Sequence, residues 1–109
     1  MRRGEIWTVV GGPRYAGKPR PVVILQGEAF AEIGSVTICP FTTDPTDLPA
    51  FRVAIEATAG TGLRTASRVM IDKVTTVPRS RLGLRIGHVG ATDLRRVDRA
   101  LTVFLGLAD

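Results

Sequence analysis

The stretch "KPRPVVIL", Lys18 to Leu25, decides how this chain is read. Its four aliphatic residues in a row, Val22 to Leu25, predict a strand buried on both faces or nearly so. Two prolines precede them and hold Arg20 between. Proline fixes its own φ, and the residue before a proline is driven to extended backbone. Lys18 and Arg20 each precede a proline, so both are held extended. Pro21 suits the first position of a strand, where a missing N–H costs little. Arg20 therefore stands stiffened at a strand entrance beside the Gly-rich loop "GGPRYAGK", Gly11 to Lys18. A phosphate clamp would be mounted this way. An ordinary surface arginine at a strand start would look the same.

Outward from this strand the chain breaks into short apolar segments punctuated by Gly, Pro and Asp. "EIWTVV" (Glu5 to Val10) precedes it, and "SVTICPF" (Ser35 to Phe41) follows. The turn-rich "TTDPTDLPA" comes next. "FRVAIEA" alternates cleanly, with Phe51, Val53 and Ile55 on one face and Arg52 and Glu56 on the other. "SRVMIDKVTTV" reads as one long strand with Val69 and Ile71 facing one way, and "GLRIGHV" as a sixth strand. The end switches period: Leu94, Val97, Leu101 and Phe104 form one helical stripe, with Arg95, Arg96 and Arg99 opposite. Thr92 is the expected cap, Asp93 suits the first turn, and Gly106 ends the helix. The predicted fold is mainly β, a small, strongly curved antiparallel barrel with a C-terminal helix, in one domain over residues 1–109.

The composition is that of a globular domain, 44% hydrophobic and 23% charged. No apolar run reaches bilayer-spanning length, and no secretory signal opens the chain, so a cytoplasmic location is expected. Cys39 is the single cysteine and His88 the single histidine. That rules out an internal disulfide and a CxxC-type or His-rich metal site, and no cofactor is expected. Cys39 lies among strand formers and reads as a small core residue. The net charge is +5, carried by 13 Arg and 2 Lys against ten acidic residues. Residues 1–50 balance five basic against five acidic side chains, so the whole excess lies in residues 51–109. A polyanionic partner fits this bias; so does an Arg-rich proteome. In "CPFTTD", Thr42 and Thr43 follow an apolar strand, where hydroxyls can bind phosphate or a 2′-OH, or simply cap a turn.

"RRGEIW", "KPRPVVIL", "ICPFTTD" and "SRVMIDKVTTVPRSRLG" follow one another in an order and spacing that resembles the MazF/PemK family of toxin endoribonucleases. The likeness runs through the C-terminal "LRRVDRALTVFLGL". It implies an SH3-like β-barrel acting as a homodimer, and sequence-selective, metal-independent cleavage of single-stranded RNA. It also implies a cognate antitoxin whose acidic, partly disordered tail occupies the RNA groove. The family's catalytic Arg before Pro and Thr after the third strand correspond to Arg20 and Thr42. Some relatives use an acid near the place of Asp72. This chain has Lys73 after that acid where many relatives have Gln, and its loop before Arg20 lacks an acidic residue.

The chemistry is self-consistent. RNA is cut when its own 2′-OH attacks the adjacent phosphate, which requires proton transfer and stabilisation of a phosphorane but no metal. With one histidine, a two-histidine mechanism is excluded. Arg20 suits the phosphorane; a guanidinium is a poor base. Asp72 reads either as a base or as a strand-end carboxylate paired with Arg68 or Arg79. Tyr15, alone of its kind, could stack a base or pin its loop. Lys18, Thr43, Arg68, Lys73 and Arg79 are the remaining candidate RNA contacts, with Arg64, Arg81 and Arg85 as further track cations. Trp7 reads as core, and His88 as structural or solvent-facing. A non-catalytic SH3-like RNA-binding module, or a gyrase-inhibiting toxin of the same architecture, would share the barrel without needing Arg20 and Thr42 together.

Overall fold

Strand β3 (Ser35–Thr42) is the spine of the structure, a computed structural model that describes residues 1–11 and 18–108. Three strands pair with it. β2 (Arg20–Ile24) runs along one edge, with Val22 opposite Pro40 and Ile24 opposite Ile38. β5 (Ser67–Met70) pairs with the end of β3, and β6 (Thr75–Pro78) with its beginning. β1 (Glu5–Val9) extends the sheet beyond β2, and β7 (Leu82–His88) beyond β1. β4 (Arg52–Ile55) flanks β5 at the other end. The path is β4-β5-β3-β2-β1-β7, antiparallel throughout, with β6 beside β3. Helix α1 (Ala91–Phe104) follows. The fold is mainly β with a C-terminal helix, as the sequence predicts.

Val22, Val23 and Ile24 are all buried, so the central strand is covered on both faces. Alternation sorts its residues into two apolar clusters. Val23, Leu25, Cys39 and Phe41 join Val53, Ile55, Val69 and Ile71 on one side. Val22, Ile24, Val36 and Ile38 join Val9 and Val77 on the other, with Trp7 packed against them. Helix α1 covers the first cluster through buried Val97, backed by Leu94, Ala100 and Leu101. Cys39 is fully buried, and burial pushes its thiol up to about 12, so it packs as a small apolar side chain.

Three expectations need correction. The long strand over 67–77 is two strands. Ile71–Lys73 form a single 3-10 turn between β5 and β6, and the register against β3 shifts by three residues across it. Thr92 does not cap α1: Gly90 is the N-cap, because the chain turns helical at Ala91, and the Thr92 hydroxyl accepts from Arg95 instead. Phe104 is 47% exposed rather than part of the buried stripe, its ring 6.5 Å from that of Phe51. Gly106 ends the helix as expected. At φ +74° it forms a Schellman closure, its N–H donating to Val103 O and that of Leu107 to Thr102 O.

The two ends of the strand path, β4 and β7, meet through the loop after β4 rather than by pairing. The His88 N–H donates to Gly60 O, and Thr61 braces the loop. The Thr61 hydroxyl oxygen accepts from the Thr58 N–H at 3.0 Å and donates to Glu56 O at 3.1 Å. Gly62 has φ +69°, and a Cβ there would lie 2.0 Å from Ile86 O. On the facing strand, a Cβ at Gly87 would lie 2.3 Å from Thr61 O. Two glycines therefore let loop and strand cross backbone to backbone.

An ion pair ties β4 to the 3-10 turn. Arg52 Nε donates to Asp72 Oδ1 at 2.8 Å and its Nη2 to Oδ2 at 3.0 Å, a bidentate arrangement. The Arg52 hydrogen bonds hold the Asp72 carboxyl below its ordinary range.

Gly62→Ala is expected to destabilise the protein by about 2 kcal/mol or more, from left-handed backbone and overlap with Ile86. Gly34→Ala, with nothing near its Cβ position, should be close to neutral. Denaturant midpoints of the two variants check this. Asp72→Asn should cost about 1–3 kcal/mol at neutral pH. Because the folded carboxyl titrates below its unfolded value, its stabilisation is complete above the unfolded pKa, about 4. It is lost as pH falls through the folded pKa. The gap between wild type and variant should thus close in acid, as urea titrations over that range would show.

Candidate active site

The antiparallel register of β2 and β3 builds the site. Val22 faces Pro40 in the last pair of the β2–β3 ladder; two residues beyond it on each strand, Arg20 and Thr42 both line one groove, although 22 positions separate them. Both share the sheet face of Val22, Ile24, Val36 and Ile38. That face is aliphatic at its centre and turns polar where β2 begins and β3 ends. A groove of about 530 Å³ opens there, lined by Arg20, Pro21, Pro40, Phe41, Thr42, Thr43, Ser67, Met70, Lys73 and Thr75. Its floor is proline, Phe41 and Met70. Its walls carry two cations and four hydroxyls, and no carboxylate among the described residues lines it. Such a lining suits an anion with apolar rings attached.

Arg20 is exposed, and its guanidinium pairs with no carboxylate among the described residues. The Thr42 hydroxyl is oriented by the turn that follows it. Its oxygen accepts the Asp44 N–H at 3.1 Å. Asp44 in turn accepts from the Thr46 N–H at 2.9 Å and from the Thr46 hydroxyl at 2.7 Å. The Thr46 hydroxyl hydrogen bond, followed by its N–H, lowers the Asp44 carboxyl. Thr42 Oγ1 accepts that bond, and its hydroxyl hydrogen, which has no acceptor among the described residues, stays available to donate to a ligand in the groove.

The other candidate residues divide. Thr43 and Lys73 line the groove. Lys18 lines the adjoining hollow. Asp72 is absent from the lining: both its oxygens face Arg52, the pairing partner in place of Arg68 or Arg79. Arg68 lies opposite Thr42 on β5, but its guanidinium donates to Asp44 O. Arg79 points to Ile33 O at the far end of β3. Tyr15 lies outside the described residues. Ser67, Met70 and Thr75 are groove residues that the sequence reading missed. Strand alternation could have offered Met70, on the face of Arg68; Thr75 depended on the unforeseen three-residue shift. Trp7 packs on the second cluster and donates to Glu5 Oε1 at 3.0 Å. Burial opposes the Glu5 charge, but the Arg2 N–H, the Trp7 indole, the N-terminal ammonium and Arg85 together leave its carboxyl lowered. His88 is exposed on β7.

Among the described residues, no cluster of three or more His, Cys, Asp or Glu side chains is placed to hold a metal ion. No described helix is long and apolar enough to cross a membrane.

Comparison with known proteins places the chain and its fold. A probable endoribonuclease MazF of Mycolicibacterium smegmatis is 56% identical over 108 residues, 99% of each chain. The Mycobacterium tuberculosis toxin MazF-mt6 superposes with a TM-score of 0.80 at 28% identity, covering 96% of this chain and 99% of that one. A mycobacterial endoribonuclease solved with its cognate antitoxin has the same fold, with a TM-score of 0.82 at 23% identity, covering 100% of this chain and 98% of that one. The family described as PemK-like, MazF-like toxin of type II toxin-antitoxin system matches residues 2–105, and the chain belongs to that family.

Proposed function

We propose that residues 1–109 act as one toxin domain, a sequence-selective endoribonuclease on single-stranded RNA that arrests translation and growth. The observation that carries this reading is that Arg20, whose guanidinium pairs with no described carboxylate, and the Thr42 hydroxyl line one cationic groove in which no described residue is a carboxylate. The endoribonuclease name of the 56% identical relative supports it.

The reaction follows from those groups. The RNA 2′-OH attacks the adjacent phosphorus and the P–O5′ bond breaks, leaving a 2′,3′-cyclic phosphate and a 5′-hydroxyl. Arg20 donates N–H bonds to the non-bridging oxygens as phosphorane charge develops, and Lys73 adds a second positive charge. Thr42 donates its hydroxyl hydrogen to the phosphate and fixes its orientation. The 2′ proton passes to a phosphate oxygen or to water, a proton from the same source is delivered to the departing 5′ oxygen, and the step requires no metal. Asp72 contributes by position: gripped by Arg52, it holds the turn that presents Lys73.

The same lining explains a partner. An acidic antitoxin tail would occupy the cationic groove in place of RNA, in keeping with a relative of this fold solved with its antitoxin. The chain pairs as a homodimer in this reading. Leu84, Val103, Leu105 and Leu107 are exposed apolar side chains available for such contacts.

A digest of long single-stranded RNA in EDTA is expected to yield discrete cuts with 5′-hydroxyl ends. Arg20→Ala should lower kcat/KM by ~10²–10³ with an unchanged melting temperature, and Thr42→Val by about tenfold. Intact RNA with the wild type, or full activity in Arg20→Ala, would sink the reading.

A further inference from the structure

A second hollow of about 650 Å³ adjoins the groove and shares Pro21, Thr43 and Ser67 with it, so the two form one trough with a low saddle. Its volume falls within the ~300–1,000 Å³ of small-molecule sites. Leu63 and Ile86 give it an apolar floor, and Arg64 and Lys18 a basic rim. We propose that this hollow binds the nucleotide next to the scissile one, its base over Leu63 and Ile86 and its outer phosphate held by Arg64. The inference rests on the ribonuclease reading and extends it by one subsite.

Two features of the structure favour Arg64. Its loop is rigid before any ligand arrives. Gly62 lies against the β7 backbone, and the Thr61 hydroxyl ties Thr58, Glu56 and the Leu63 N–H together. A subsite mounted on such a loop loses little entropy on binding. In addition, Arg64 is exposed and engages no acceptor within the described residues. The competing basic hollow, between α1 and β4, is different. There Arg52 is committed to Asp72, Arg96 to Asp93 and Ala54 O, and Arg68 to Asp44 O, while the fourth arginine, Arg99, shares the hollow with the Asp47 carboxylate. It also shares no lining residue with the groove. An RNA strand crossing Arg20 and Thr42 therefore continues over the saddle toward Arg64.

The test uses the full chain and short RNAs centred on its mapped cut site, shortened by one nucleotide at the 5′ or the 3′ end. The wild type should lose about tenfold in kcat/KM on shortening at one of the two ends, the size of one charge-assisted contact. Arg64→Ala should lose less than about twofold on that same shortening, and Arg64→Lys should restore the dependence. A merely structural role for Arg64 would lower both substrates in proportion and leave their ratio intact. That result overturns the proposal, as does a wild type indifferent to shortening at either end. Binding gives a second readout that needs no cleavage. With a 2′-deoxy substitution at the cut site, the slope of log Kd against log salt should fall by about 0.7 in Arg64→Ala. An unchanged slope overturns the subsite. If the wild type cuts no RNA, the ribonuclease reading is overturned and the subsite's place beside a scissile nucleotide with it; a slope reduced in Arg64→Ala on uncut single-stranded RNA would then leave only a phosphate contact at Arg64.

Discussion

Everything at the site depends on the register between β2 and β3. The pairing of Val22 with Pro40 is held by burial on both faces of β2, since a one-residue slip would turn Val22 and Ile24 out of one cluster and Val23 out of the other. Arg20 and Thr42 are thus positioned by aliphatic packing behind them. No interaction between the two side chains is needed, which leaves both available to a ligand.

The groove is also shaped by what its cations do not touch. The chain carries ten acidic residues, and the structure spends several on distant arginines: Asp72 on Arg52, Asp98 on Arg3, Glu5 on Arg85 and Asp93 on Arg96. The cations around the groove escape this neutralisation. Positive charge therefore gathers at the groove and its adjoining hollow from both halves of the chain: Lys18 and Arg20 from the balanced half, Arg64 and Lys73 from the basic one. Local positive potential of this kind draws a polyanion in and weakens with added salt.

Much of the fold was legible because its strongest signals are local. The aliphatic run after Pro21 could only be a buried strand, and the X-Pro pairs stiffened Arg20. The alternation at Phe51–Ile55 and the helical stripe through Val97 were equally plain. The Arg20–Thr42 juxtaposition, by contrast, was legible through the family resemblance, because cross-strand register is set by long-range pairing that no local pattern encodes. The same holds for Asp72. Its neighbourhood offered Arg68 and Arg79 as partners, whereas the fold brought Arg52 from twenty residues away. The break at Ile71–Lys73 was invisible because "SRVMIDKVTTV" has strand propensity throughout, and tertiary pairing on both sides of the turn overrides it. Tyr15 and the rest of 12–17 fall outside the described residues.

That break has an evolutionary corollary. Val69 and Val77 are both odd-numbered, yet one packs in the first cluster and the other in the second. Strand alternation alone would put them on the same face; the three residues of the turn exchange the faces between β5 and β6. Lengthening or shortening the turn by one residue would exchange them back, exposing Val77 and carrying Thr75 out of the groove. The turn is thus constrained twice over: Ile71 is buried in the core, Asp72 is held by Arg52 and Lys73 lines the groove, and its length also has parity. Lineages should reject single-residue insertions and deletions here even where all three side chains are kept.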